Sequence, residues 1–249
     1  MTVLIDLFII NTNAQTAETG NSHSFTVASG SYLLSDGHLS LLFARINSRG
    51  LAWSYTKSDA YHKKSITAEF EYGTRDYSTN QVRVNGFLLE YKNAFSVIKN
   101  KNSSFNNYTG YSIKTNSQFI RSGDQYSWAG ITSLSLYNSL NYTWRGNTVS
   151  FDLSIPLIGF VTRPETDKTY KGFLNDMLYN SLNHPVFTSL DNHKELNLSF
   201  QYYRTISNRL SFLARASYFN KEILVNKIKF SEQGNRFQAG LSFSLKENK

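Results

Sequence analysis

The feature that most constrains this chain is a long, strict alternation of side-chain character. From Trp128 to Trp144 every second residue is mostly apolar, with a Trp at each end, and the residues between are mostly polar. Because a β-strand points successive side chains to opposite faces, this stretch predicts one strand with an apolar and a polar face. It is far longer than the usual strand of about 5–6 residues. Such strands are typical of transmembrane β-barrels.

Similar alternation recurs along the chain and predicts an all-β protein, a transmembrane antiparallel up-and-down β-barrel of about ten strands, within a range of about 8–12. The predicted strands are 39–44, 51–56, 66–72, 87–97, 111–119, 128–144, 149–157, 196–203, 210–218 and 237–245. A turn is predicted at 47–50. Two alternatives stay open: 25–34 is a further strand, or 39–55 is one long strand.

A soluble β-sandwich is the competing fold, since its strands also alternate apolar and polar residues. The length of 128–144 and the Tyr and Trp residues at strand ends favour the barrel, where aromatic residues gather at the membrane interfaces.

Composition excludes several classes of protein. The chain has no Cys, which excludes a disulfide framework and a thiolate metal site. No run approaches the roughly 18 apolar residues of a membrane helix. The net charge is +8, but Lys and Arg are scattered, so no nucleic-acid partner is predicted.

Residues 1–24 are predicted to be a truncated signal peptide or an N-terminal tail, and 25–249 a single barrel domain. The run Val3–Ile10 is apolar and is followed by small residues, as in a secretory signal. Asp6 interrupts the run, and no Lys or Arg precedes Arg45.

Connection lengths predict the orientation of the barrel. The turns at 145–147 and 207–208 are short and fall at one end, whereas 159–194 and 220–235 are long and fall at the other. Outer-membrane barrels have short periplasmic turns and longer outer loops. We therefore expect 159–194 to be a long outer loop, in which 171–182 has the spacing of a short helix or forms an ordered loop.

Two segments carry a resemblance to a known group of proteins. The final strand, 239–245, resembles the sorting signal of outer-membrane barrels, although Lys246–Lys249 extend beyond it. The segment 152–164 resembles one in uncharacterised outer-membrane β-barrel proteins of Bacteroidota. This resemblance implies a location in the outer membrane of a Gram-negative cell and no particular activity.

The polar faces of the predicted strands indicate a lumen-facing polar cluster, because charged residues are costly on the lipid face. Its members are Glu69, Glu71, Glu90, Lys92, Lys114, Asp152 and Arg215, with Gln118, Gln201 and Gln238 beside them. Side chains nearly fill a barrel of about eight strands, whereas open porins need about sixteen. We therefore expect a lumen filled by salt bridges rather than a channel.

The sequence predicts a non-enzymatic integral outer-membrane protein, structural or partner-binding. Expected partners are outer-membrane lipid, including lipopolysaccharide, and envelope proteins that bind the outer loops or the barrel wall. A small pore for polar solutes is the alternative. A lipid-modifying enzyme with His184 or His193 as base is a weaker one. No catalytic residue, cofactor or metal is predicted, since the spacing of His184, Asp191 and His193 matches no known metal motif.

Overall fold

The computed structural model describes residues 20–39, 41–59, 61–75, 81–97, 104–163, 185–225 and 228–245. Almost all of these residues are in strands. The strands are β1 (Gly20–Asp36), β2 (Leu41–Ser58), β3 (His62–Arg75), β4 (Val82–Ser96), β5 (Phe105–Ser122), β6 (Gln125–Trp144), β7 (Asn147–Thr162), β8 (Val186–Ser189), β9 (His193–Ser207), β10 (Leu210–Val225) and β11 (Ile228–Leu245). Within these ranges, no helix is long and apolar enough to cross a membrane.

The strands form one closed antiparallel sheet. Each strand from β1 to β7 pairs with the next, and β1 pairs with β11 to close the barrel. The short β8 pairs with the end of β7, and β9 pairs with its beginning, so β8 and β9 share one position in the wall. The result is a ten-stranded barrel, which confirms the predicted fold.

The start of the barrel differs from the prediction. β1 begins at Gly20, five residues before the predicted domain start, and the alternative strand at 25–34 lies within it. The predicted turn at 47–50 is wrong, and the alternative of one long strand over 39–55 is what the structure shows, because β2 is a single strand over Leu41–Ser58. Both neighbours pair with this segment: Ser48 lies opposite Gly30 of β1 and Gly73 of β3.

The predicted long outer connections are also shorter than expected. β10 and β11 run through 220–235 and leave only residues 226 and 227 between them, so the predicted loop there is wrong. β7 and β8–β9 likewise enter the predicted loop 159–194 from both ends. The predicted helix at 171–182 lies outside the described residues.

Along the strands, the apolar side chains change from the outward face to the inward face. This change explains why the turn at 47–50 and the loop at 220–235 were predicted wrongly. Over most of each strand, apolar side chains face outwards and are exposed on the wall, for example Phe87 and Phe237. Toward the end opposite Gly20 and Leu245, apolar side chains instead point into the barrel, as Ile46 and Phe230 do. We call this end, where β7 ends and β8 begins, the outer end, and the opposite end the inner end.

The inward-facing apolar residues at the outer end form one cluster, which we call the outer plug. Strands β1, β2, β4, β5, β6, β7, β10 and β11 contribute to it, so it joins eight of the ten positions of the wall. Its members are Tyr32, Leu34, Leu39, Ala44, Ile46, Val82, Val84, Ile120, Ala129, Ile131, Val161, Ile223, Val225 and Phe230.

One irregularity in the wall is a β-bulge in β7. Leu134 of β6 lies opposite Ile158, and Ser135 lies opposite Pro156, so Leu157 has no partner in the ladder. Leu157 and Ile158 are therefore both exposed on the outer wall. A bulge accommodates Pro156, which has no N–H to donate to a neighbouring strand.

The two Trp residues that bound the longest alternating stretch have different surroundings. Trp144 is 38% exposed at the inner end, as expected for an interfacial residue, whereas Trp128 is only 3% exposed. The ring of Trp128 lies over Gly130, where a side chain would collide with it.

Candidate functional site in the barrel lumen

Between the outer plug and the inner end lies a polar cavity of about 150 Å³. Tyr32 of the plug lines its outer side, and Tyr137, which belongs to a smaller buried cluster with Ala94 and Tyr108, lines its inner side. Such a volume has room for several water molecules. The cavity is the candidate functional site.

Ionisable side chains of both signs line this cavity, and we call them the charged belt. Its acidic members are Glu69, Glu71, Glu90, Asp152, Glu195 and Glu232, and its basic members are Lys92, Lys114, Arg215, Lys221 and Arg236. The two signs are almost balanced, so the belt is close to neutral.

The structure places all seven sequence-predicted lumen residues on the wall of this one cavity. Sequence reasoning missed four further members of the belt, namely Glu195, Lys221, Glu232 and Arg236. Lys221 and Glu232 were assigned to a loop, because the apolar residues change face between Tyr218 and Phe237. Charge alone does not identify them, since Glu222 and Lys229 of the same stretch are charged but exposed on the outer wall.

Arg236 of β11 holds two carboxylates of β3. Its guanidinium forms ion pairs with Glu69 and with Glu71. Gln238 donates a second hydrogen bond to Glu69, at 3.1 Å. Bidentate and charge-assisted contacts of this kind fix side chains strongly in place.

Glu195 of β9 is the most heavily bonded carboxylate of the belt. It accepts from Lys114 Nζ at 2.5 Å and from Asn197 Nδ2 at 2.6 Å. Its second oxygen lies 3.0 Å from His193 Nε2. Because Glu195 is almost fully buried, these partners replace the water that the carboxylate loses.

One hydrogen bond spans the lumen from side to side. Gln118 Nε2 on β5 donates to Glu232 Oε1 on β11 at 2.6 Å. These two strands are five positions apart in either direction around the ten-stranded wall, so they face each other across the barrel. Glu232 also forms an ion pair with Lys221 of the adjacent β10.

The remaining members of the belt are tied to their neighbours. Gln201 donates to Asp152 and accepts from Arg215 Nη2 at 2.9 Å, so it links two groups of opposite charge. Lys92 pairs with Glu90 at 3.1 Å, and its ammonium lies 4.8 Å from the centre of the Tyr137 ring.

A buried ion pair also crosses the outer mouth. Arg163 Nη2, just after β7, lies 2.6 Å from Asp36 Oδ1 at the end of β1, and both side chains are almost completely buried. The Arg163 guanidinium lies 4.9 Å from the centre of the Phe230 ring. This pair therefore lies against the outer plug.

One of the two candidate histidines lies elsewhere than predicted. His193 is not in the predicted outer loop 159–194: it begins β9, is 2% exposed and points into the lumen. His62 begins β3, and His23 lies within β1. His184 lies outside the described residues. Among those that are described, no group of three or more His, Asp or Glu side chains has an arrangement fit for a metal ion.

Comparison with known proteins gives a fold but no family. No protein-family model matches the chain, and no curated protein sequence matches it. Among solved structures, the outer membrane protease OmpT from Escherichia coli is similar, with a TM-score of 0.56 and 7% identity, over 93% of this chain and 98% of that chain. The translocator domain of the autotransporter NalP from Neisseria meningitidis is similar with a TM-score of 0.50 and 6% identity, over 93% of this chain and 91% of that chain.

This chain has the fold of an outer-membrane β-barrel. With its apolar outer wall, the fold locates the chain in the outer membrane, which confirms the predicted location. At identities this low the likeness concerns the fold alone, so the activities of OmpT and NalP do not carry over. The resemblance to barrels of Bacteroidota stays a prediction.

Proposed function

We propose that this protein is a closed, non-conducting and non-enzymatic barrel, with a structural or partner-binding role in the outer membrane. The observation that carries the proposal is the hydrogen bond from Gln118 to Glu232, which joins opposite walls of the lumen. The outer plug lies on one side of it. With the lumen filled, the wall and the connections are the surfaces left to act on other molecules.

The energetics of the lumen argue against the alternative of a small pore. An ion crossing the belt would have to separate buried ion pairs such as Lys221–Glu232, and separating a buried pair leaves uncompensated charge. Beyond the belt the ion would meet the outer plug, whose mostly aliphatic side chains offer almost no ligands in place of its hydration water.

The surroundings of His193 argue against this residue as the base of a lipid-modifying enzyme. Such an enzyme needs its base close to the membrane edge, where a lipid substrate is within reach. His193 instead lies inside the barrel and is bonded to Glu195, with Lys114 on the same carboxylate. This arrangement resembles a structural network rather than a nucleophile with its base.

Conductance across a planar lipid bilayer tests the proposal. We expect folded, inserted protein to give no discrete current steps, because neither an ion nor a polar solute finds a continuous path. Insertion is established separately, by protease protection of reconstituted protein and by its heat-modifiable mobility on a gel. Reproducible steps whose size changes in Glu90→Ala or Lys92→Ala would establish a pore and contradict the proposal.

A further inference from the structure

Four exposed arginines lie on the outer wall, all on the same side of the barrel. Arg45 and Arg49 are on β2, Arg83 is on β4 and Arg121 is on β5. Alternation places all four on the outward face, since the residues beside them, such as Ile46, Val84 and Ile120, point into the plug. We call these four residues the arginine patch.

The depth of the patch coincides with the outer edge of the apolar band. Going toward the outer end, Arg49 is the next outward-facing residue of β2 beyond Leu51. In the same direction, Arg121 is the next outward-facing residue of β5 beyond Phe119. Leu51 is 62% exposed and Phe119 is 40% exposed, so both belong to the lipid-facing wall. Arg49 and Arg121 therefore lie where the hydrocarbon ends and the lipid head groups begin, and Arg83 lies beside Arg121 in the ladder.

Like charges lie beside each other in the patch. Arg83 and Arg121 are direct cross-strand partners, an arrangement that destabilises a sheet when both residues carry the same charge. Among the described residues, no carboxylate forms an ion pair with any of the four arginines. An anion bound between Arg83 and Arg121 would remove this repulsion.

Local hydrogen bonds hold the guanidinium groups without neutralising them. Arg83 Nε donates to Gln81 Oε1 at 2.9 Å, and Arg121 Nε donates to the Gly123 carbonyl at 2.9 Å. Arg45 Nε donates to Ser31 Oγ at 3.1 Å. All three acceptors are neutral, so each group keeps its full charge and its terminal N–H donors.

The opposite side of the barrel differs at a comparable height. There Lys229 and Glu222 form an ion pair at 2.9 Å, and Lys194 lies opposite Glu222 in the register of β9 and β10. On that side a carboxylate therefore lies between two lysines, whereas among the described residues no carboxylate pairs with the arginines of the β2–β5 side. The arginine patch belongs to one sector of the wall rather than to the whole circumference.

We propose that the arginine patch binds the phosphate groups of lipopolysaccharide in the outer leaflet. Guanidinium groups bind phosphate through two parallel hydrogen bonds, and the stems of arginine side chains lie well against apolar surface. A lipid with phosphates at the base of its head group presents that charge at this depth. The proposal rests on the membrane location of the barrel and is independent of whether its lumen conducts.

Binding of purified lipid A tests the proposal. The folded protein in a mild non-ionic detergent is titrated with bisphosphorylated lipid A and with enzymatically dephosphorylated lipid A. The variant is Arg83→Gln with Arg121→Gln. The matched control is Lys57→Gln with Lys64→Gln, which removes another pair of directly opposed like charges from the outer face, at the inner end.

We expect the arginine double variant to bind bisphosphorylated lipid A at least about tenfold more weakly, and the lysine control to stay within about twofold of the wild type. Wild-type affinity should fall with added salt and with removal of the lipid phosphates. Inorganic phosphate at millimolar concentration should not displace the lipid, which separates a lipid site from a free-phosphate site. Unchanged affinity in the arginine variant, equal losses in both variants, or equal binding of dephosphorylated lipid A would overturn the proposal. Displacement by inorganic phosphate would also overturn it.

Discussion

At the scale of single residues, Arg236 is the cation on which two buried carboxylates depend. In Arg236→Ala, Glu69 and Glu71 stay in the lumen without their ion pairs. Because breaking a buried pair by removing one partner leaves an uncompensated charge, we expect the free energy of unfolding to fall by about 3–5 kcal/mol. Equilibrium unfolding in urea measures this change.

Two further variants make the Arg236 prediction specific. Lys229→Ala removes an exposed ion pair with Glu222 and should cost no more than about 1 kcal/mol. Combining Arg236→Gln with Glu69→Gln and Glu71→Gln removes all three charges and should recover most of the loss. A similar cost for the Arg236 and Lys229 single variants would refute the role given to the belt.

At the scale of strands, much of the wall could be predicted from the sequence. Where apolar residues face lipid over many positions, as in β6, alternation identified both the strand and its faces. Where the apolar residues change face within a strand, the pattern looks interrupted. In β2 the apolar residues change from the inward face at Ile46 to the outward face at Leu51, and the polar residues between them resemble a turn.

The same change of face limited prediction of the site. Seven members of the charged belt lie in stretches of regular alternation, so the sequence identified them. Lys221 and Glu232 lie where the apolar residues Phe219 and Phe230 are on the inward face. The segments there therefore lack the pattern of apolar-outward and polar-inward residues that is typical of a membrane strand. Pairings across the lumen, such as Gln118 with Glu232, depend on the closure of the barrel and have no local signal.

The pairing of β1 with β11 closes the barrel, and we call it the seam. It depends on close approach of the two backbones at Gly240. A Cβ at this position would lie 1.9 Å from the carbonyl oxygen of Phe25 and 2.7 Å from Thr26 Cα, both backbone atoms. We therefore expect Gly240→Ala to destabilise the barrel by about 1–3 kcal/mol, as overpacking typically does, or to prevent closure. The amount of heat-modifiable, folded protein and its unfolding midpoint measure the effect.

Gly86 supplies the control for the seam. It also lies in a strand and lines the cavity, but a Cβ there would meet nothing nearer than 3.6 Å. Gly86→Ala should therefore fold and unfold like the wild type. If Gly240→Ala is equally well tolerated, steric closeness at the seam is not what requires glycine there.

At the scale of the whole molecule, the same strands lie partly in the membrane and partly in water beyond it. In the membrane the barrel has an apolar wall and a charged lumen. Beyond the outer edge of the apolar band it has a polar wall and an apolar interior, as a soluble β-barrel does. The outer plug is the apolar core of this outer part, and under the proposed function it closes the lumen because this part folds in water.

Thiol accessibility along β10 is the most direct test of this sealed arrangement, and the absence of native Cys makes each introduced Cys unique. Ser217→Cys lines the cavity below the plug, whereas Asn220→Cys is exposed on the polar outer wall. Both variants are treated in intact cells with a maleimide that cannot cross the membrane, and again after unfolding. We expect Asn220→Cys to react at once and Ser217→Cys to react only when unfolded. Rapid labelling of Ser217→Cys from outside would mean an open lumen and would contradict the account.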